Sequence, residues 1–395
     1  MYSICEDISG NLWVGTYNGV NKIDRYYNNF EHIRQTGDNE LSLNNDIILS
    51  FTEDDQDNMW IGTSAGINIR NKKTGKYSFL THTDGNPQTP AGNEIRKILY
   101  TPESHCFWFA YWGAGMDKYD PETGTFTHFK NNPNASSISD DYVNDIIQDH
   151  SGMIWIATGK GLNRLNPQTF SFETFKHSAN NHNCISNDIA ISLCQDSKGN
   201  IWIGTDDGLN RFNTVTNEFT VFKHDTADRN SLCNNTVFKI YEDKTGKIWV
   251  GTSGGGLSRL DPDKGKFRSY TTSEGLPNNI VYGILEDNEG NIWVSTNLGI
   301  SKLYVISERF VNYDVKDGIQ SNEFNLGANY RSKSGDLYFG GMNGYNVFDP
   351  AKIKFNPGKP VIVISGFRKF NERQPDEYFD GDTIRLGHDE NFFSI

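Results

Sequence analysis

Asp196-Ser-Lys-Gly-Asn200-Ile-Trp-Ile-Gly-Thr205 is the stretch on which the fold turns. Asp can bond its own downstream backbone and Gly supplies a positive φ, so the first half makes a tight hairpin turn. The second half is a strand centred on Trp202. The pattern recurs at Asn11-Leu-Trp-Val-Gly-Thr16, Asn58-Met-Trp-Ile-Gly-Thr63, Met153-Ile-Trp-Ile-Ala-Thr158, Lys247-Ile-Trp-Val-Gly-Thr252 and Asn291-Ile-Trp-Val-Ser-Thr296. Two degenerate copies are Cys106-Phe-Trp-Phe-Ala-Tyr111 and Asp336-Leu-Tyr-Phe-Gly-Gly341. The aromatics stand at 13, 60, 108, 155, 202, 249, 293 and 338, a period of 44 to 48 residues.

Working outward, each unit reads as four strands. An apolar strand a (Asp46-Ile-Ile-Leu-Ser-Phe51) precedes the turn, and strand b carries the Trp. A glycine, such as Gly208, opens strand c, which alternates as in Leu209-Asn-Arg-Phe-Asn213. Strand d has an aromatic three residues after a Phe, as at Phe219 and Phe222. No segment sustains a helical period. Four short antiparallel strands at this spacing indicate an all-β chain, a β-propeller of four-stranded antiparallel blades. The repeated Trp then packs one blade on the next.

Units one to seven show four strands and unit eight, near 327–350, shows three. That makes 31 strands where a closed seven-bladed ring needs 28. The excess equals the first three strands of unit one. Its fourth, around Phe30-Glu-His-Ile33, is then free to complete unit eight and latch the ring, leaving no open edge. Counting favours seven blades, with eight as the alternative. The expected division is 1–26 as the end of a preceding propeller or a first blade, 27–357 as the propeller, and 358–395 as the first strands of an immunoglobulin-like β-sandwich. Val361-Ile-Val-Ile-Ser-Gly-Phe367 is the expected opening strand of that sandwich.

The bulk numbers agree. Hydrophobic content is 36%, aromatics are 13%, and there are 38 glycines in 395 residues, which suits many half-buried strands. A net charge of −13 disfavours nucleic acid and acidic lipid surfaces. There is no apolar run long enough to span a bilayer, and Met1 leads directly into the repeat with no signal sequence. This suggests an internal piece of a longer protein. The five cysteines (Cys5, Cys106, Cys184, Cys194, Cys233) lack zinc spacing and read as small buried thiols. No metal or cofactor is expected.

Asp-x-x-Gly-Asn-x-Trp-x-Gly-Thr followed by Gly-Leu-Asn-Arg resembles the two-component regulator propeller repeat. The loops Asn134-Ala-Ser-Ser-Ile138 and Arg229-Asn-Ser-Leu232 fit that family. So does the ending Tyr338-Phe-Gly-Gly-Met-Asn-Gly344, Phe348-Asp-Pro350, Pro360-Val-Ile-Val-Ile364, which there introduces a Y_Y_Y immunoglobulin-like domain. The resemblance implies a periplasmic sensor of a hybrid two-component system that binds oligosaccharides and controls glycan-utilisation genes. It implies as partners the rest of the sensor or a second propeller, and a homodimer formed through the sandwich domain. This chain shows no kinase motif. A protein-interaction scaffold is the alternative function.

Binding sites sit on loops held by a rigid scaffold, so candidates are sought where the repeat breaks on the face carrying the b–c loops and d–a connections. Three residues after the Trp, unit three has Tyr111 where Thr is usual. Next to it is Trp112, where other units carry Tyr17, Ser64, Gly159, Asp206, Ser253 and Asn297. Aromatic rings suit the C–H face of a sugar, with polar groups such as Tyr17, Asp206 and Asn297 for hydroxyls. The alternative is that Tyr111 and Trp112 fill a gap in a degenerate unit. Arg96 is aligned with Ile48, Val143, Ala190 and Val237 and offers a fork for an anionic group, or an inter-blade salt bridge. The Asn and Asp residues before each strand a, such as Asn187 and Asp188, read as turn formers. No catalytic residues are assigned. A propeller lyase or a glycoside hydrolase would need a placed base or paired carboxylates. The histidines are scattered and fall mostly at the rim.

Overall fold

The Asp turn and the tryptophan form one device. The carboxylate Oδ2 accepts from the indole Nε1 six residues on, at 3.0 Å for Asp54 and Trp60, 2.8 Å for Asp196 and Trp202, and 2.7 Å for Asp243 and Trp249. The Oδ1 of Asp196 takes the backbone amides of Lys198 and Asn200 at 3.0 and 2.8 Å. One side chain thus closes the hairpin and satisfies the N–H of a buried indole. The Asn residues before strand a also act locally. Asn187 Oδ1 accepts from Ile189 N at 2.8 Å and Asn234 Oδ1 from Thr236 N at 2.9 Å, as the turn reading expects.

The computed structural model describes residues 2–7, 10–23, 30–37 and 40–353, and short strand pairs between 368 and 394. Contacts divide the chain into two units, 28–353 and 1–27 with 354–395. Residues 28–353 form seven four-stranded antiparallel sheets among the described residues. Unit five is typical, with Ala190–Gln195, Ile201–Thr205, Gly208–Asn213 and Glu218–Phe222 paired in order.

Each Trp packs across to the following blade. Trp155 lies among Ala190, Leu193, Ile201 and Ile203 of unit five, and Trp202 among Val237, Ile240, Ile248 and Val250 of unit six. Trp293 meets Phe324, Leu337 and Phe339 of unit eight, whose Tyr345 and Ala328 meet Ile48, Phe51 and Ile61 of unit two. The interfaces therefore return on themselves. The first strands line the axis, each against the next, and Phe324–Arg331 comes back to Ile48–Glu53.

The closing blade takes its fourth strand from the other end of the sequence. Glu31–Ile33 pairs antiparallel with Gly344–Phe348, in the register Ile33 to Tyr345, His32 to Asn346 and Glu31 to Val347. Phe30 anchors it, with ring centroids 5.0 Å from Tyr313 and 4.7 Å from Phe348. Seven blades close the ring, the arrangement that strand counting favoured over eight.

In the other unit, Ser3–Glu6, Leu12–Thr16 and Gly19–Ile23 form a three-stranded sheet with the same a–b–c order. Its Trp13 is 37% exposed, whereas the ring tryptophans that carry the repeat are at most 5% exposed. Residues 368–394 contribute a three-stranded and a two-stranded sheet of two-residue strands. The strand expected at Val361–Phe367 and most of the expected sandwich lie outside the described residues.

Candidate functional site

Regular blades share a small buried polar network below the b–c loop. In unit four, the Thr158 and Ser139 hydroxyls are 2.8 Å apart, and Asn163 Nδ2 donates to Ser139 at 2.8 Å. Unit five repeats it with Thr205, Ser186 and Asn210. Unit three changes all three positions together, to Tyr111, Ala91 and Asp117. Tyr111 OH donates to Asp117 Oδ2 at 2.6 Å, Ala91 N donates to the same oxygen at 2.8 Å, and His128 Nδ1 lies 2.6 Å from Oδ1. Tyr111 and Asp117 are both fully buried. Burial pushes the Tyr111 phenol well above its usual range and raises the Asp117 carboxyl against the hydrogen bonds that it accepts. Tyr111 is therefore core, and the larger ring reaches the partner that a Thr could not.

Trp112, one residue on, is 45% exposed. Tyr142 meets it edge to face at 5.1 Å, and the Arg96 guanidinium lies 4.2 Å from its ring centroid. The indole is thus clasped on two sides and presented to solvent on the loop face.

Arg96 needs a correction. Ile95, not Arg96, pairs opposite Tyr111 as Ile48 pairs opposite Thr63, and a one-residue bulge follows in each case. Arg96 is the bulge residue, equivalent to Leu49, Asn144, Ile191, Phe238 and Tyr282. A bulge turns its side chain out of the blade, here towards the axis. The expected inter-blade salt bridge is absent among the described residues. Arg96 instead approaches Glu94 of its own unit at 3.7 Å, and its Nε is buried without a hydrogen-bond partner.

These residues border a pocket of about 200 Å³ on the ring axis. Units three to six supply Arg96, Lys97, Trp112, Asn144, Asp145, Ile189, Ile191, Ser192, Phe238 and Lys239. Unit eight supplies Leu326 and Gly327. There strand a carries extra residues, with Phe324 opposite Gly341 but Asn329 opposite Phe339. Asn325 Nδ2 pins this excursion to Ile48 O at 2.8 Å. Gly327, at φ +81°, brings its backbone close to Leu49 and Arg96, a conformation that a side chain would strain.

Lys97 and Lys239 stand at one equivalent position two residues into strand a, beside Ser50, Asp145 and Ser192. Lys97 Nζ is 3.4 Å from Asp145 Oδ1. Burial, with repulsion from Lys97, pushes the Lys239 ammonium down to about 8. Sequence reading missed these lysines. The signal was there, as positive charge at a position that is serine or aspartate in units two, four and five.

The remaining candidates fall outside the pocket lining. Asp206 Oδ1 accepts from Thr236 Oγ1 of the next blade at 3.2 Å, and Asn297 has a buried Oδ1 without a partner. Tyr17 is 89% exposed and belongs to the other unit. A larger cleft of about 510 Å³ lies on the opposite, a–b turn face between units two and three. Asp55, Tyr100 and His105 satisfy one another there. Asp55 Oδ2 accepts from Tyr100 OH at 2.6 Å and lies 2.9 Å from His105 Nδ1. The rim histidines tie down loops, His82, His177 and His224 each facing a backbone carbonyl through Nδ1. All five cysteines are free, and Cys5 is exposed, against the buried-thiol reading. No helix among the described residues is long and apolar enough to cross a membrane.

A closed ring of seven blades with an aromatic-rimmed, cation-lined pocket on its axis defines the class, a β-propeller with an axial cavity. The two-component regulator propeller family model matches six of the chain's repeats, at residues 1–18, 42–65, 137–160, 185–207, 231–254 and 275–298. The chain is similar to the extracellular domain of a hybrid two-component system from B. thetaiotaomicron, at 26% identity and a TM-score of 0.75. That match covers 99% of this chain and 51% of the other, so the chain spans about half the length of that relative. It is 33% identical over 79 residues to histidine kinase P4 of Formosa agariphila, covering 20% of this chain and 6% of the kinase. Virginiamycin B lyase of Staphylococcus aureus shares the fold at 13% identity and a TM-score of 0.60, over 80% of this chain and 98% of the lyase. Fold alone does not carry that activity across.

Proposed function

We propose that this ring is the non-catalytic, ligand-sensing propeller of a hybrid two-component signalling protein. It works outside the cytoplasm, in the periplasm, and its ligand is an oligosaccharide whose arrival switches on glycan-utilisation genes. The observation that carries the sensor reading is the likeness, along nearly the whole chain, to the extracellular domain of such a system. The oligosaccharide reading rests on Trp112, a half-exposed indole set at the mouth of an axial pocket. Pyranose C–H groups stack on such a ring while polar groups take the hydroxyls. The sheet of residues 3–23 is the last blade of a preceding propeller. Residues 358–395 begin the sandwich domain, through which the sensor dimerises, and the kinase lies elsewhere in the protein.

Calorimetric titration with a glycan panel tests this. Trp112→Ala should abolish oligosaccharide binding while leaving the melting temperature nearly unchanged. Equal affinity in wild type and variant would refute it.

A second reading has its own support. Tyr142, Ile189, Leu298 and Met342 are each 44–49% exposed on loops of the Trp112 face, which suits docking of another protein. Capture of a partner in the absence of glycan would favour that scaffold role.

A further inference from the structure

The axial pocket holds more positive charge than its own residues neutralise, in a protein whose net charge is −13. Arg96, Lys97 and Lys239 line it against a single carboxylate, Asp145, among the described residues. Asp145 is already engaged. Its Oδ2 accepts from Leu193 N at 3.0 Å, and its Oδ1 accepts from Ile146 N at 2.9 Å and faces Lys97. Lys239 makes no hydrogen bond or ion pair among the described residues. The Arg96 side chain makes no hydrogen bond there either, and beside its contact with the Trp112 ring it has one ion pair, the 3.7 Å approach to Glu94. A partly buried ammonium without a counter-ion is costly to keep, and an incoming anion relieves that cost.

The wall above these charges is apolar, from Trp112 and Phe238. The volume of about 200 Å³ is below the range of roughly 300–1,000 Å³ for pockets that enclose a whole drug-sized ligand. It suits one residue of a chain, with the remainder outside on the loop face.

We propose that the axial pocket takes a single acidic sugar residue, its carboxylate or sulfate held by Lys239, Lys97 and Arg96 and its ring laid against Trp112. This rests on the oligosaccharide reading and specifies it. The guanidinium offers a planar fork for an oxoanion, and the two ammonium groups act as point charges below it.

The test is calorimetry on the full chain with a panel of oligouronides and sulfated disaccharides. Each is paired with its methyl-esterified or desulfated form, and inorganic sulfate is run alongside. At least one acidic member should bind tenfold or more tightly than its neutral counterpart. Lys239→Met should erase that preference and Lys239→Arg should keep it. Lys and Met are similar in volume, so the Met variant should fold, which its melting curve checks. If no acidic probe exceeds its neutral form, or Lys239→Met leaves the preference intact, the proposal is overturned. Neutral oligosaccharides that bind equally well and depend on Trp112 would overturn the acidic specificity while supporting the oligosaccharide reading. Sulfate binding lost in Lys239→Met, with no oligosaccharide bound, would overturn the sugar assignment and leave an anion site.

Discussion

Truncating Phe30 to Ala should open the ring at its seam. Phe30 is 3% exposed and packs edge-on against Tyr313 and Phe348, beside Trp293 and Leu337. It precedes the three-residue strand that joins the two ends of the ring, which is otherwise held by its pairing with Gly344–Phe348, by Ile33 against the core and by His32 at Asn343 O. Phe→Ala in a core costs about 3–5 kcal/mol, a range that already includes the lost ring contacts. With a urea slope of about 3 kcal/mol per M, the midpoint should fall by roughly 1–1.7 M. Unfolding followed in parallel by tryptophan fluorescence and circular dichroism measures this. Phe170→Ala, at a ring 40% exposed, is the control and should move the midpoint far less. A Phe30→Ala shift below about 0.3 M, or one equal to the control, would refute the latch.

Tyr111→Phe should cost about 1–3 kcal/mol, because Asp117 loses a buried donor, with ligand affinity unchanged; loss of affinity without loss of stability would return Tyr111 to the site. Lys239 gives a pH signature. Lys97, Asp145 and Cys194 face it, and its ammonium is lowered to about 8 against about 10.4 in the unfolded chain. Between those values the unfolded state binds more protons, so this group's contribution to stability rises with pH and is flat below the window. Cys194, raised to about 12 by burial, acts with the opposite sign above its unfolded value. The difference between wild type and Lys239→Met isolates the lysine. The melting-temperature advantage of Lys239→Met at pH 7 should shrink by pH 10, and a constant difference would contradict the assignment.

The repeat made the ring legible because each blade must solve the same problem. A Trp on strand b has to be buried against a neighbour and its N–H bonded, so Asp196 and Trp202 recur together. The latch was legible because unit eight lacked a strand and unit one had one to spare. The pocket was less so. Trp112 stands out as an indole out of register, but Arg96 falls in line with the apolar residues only by counting back from the Trp, because unit three carries one extra residue: Ile95 and its partner Tyr111 are 16 apart, where Ile48 and Thr63 are 15 apart. Lys97 and Lys239 lie far apart in sequence, and only ring closure brings them to one axis. Tyr111 on its own leaves ligand contact and gap filling both open, and it is its partners Ala91 and Asp117, in place of the Ser–Asn pair of regular blades, that make it a gap filler.

The claim that function lies where the repeat fails is tested most directly by a crystal structure of the chain with the tightest-binding member of the oligosaccharide panel. The account expects one sugar residue in the axial pocket, its ring on Trp112 and its charged group at Lys239. Ligand in the cleft beside Asp55 and His105, or on the outer rim with the axial pocket empty, would contradict it.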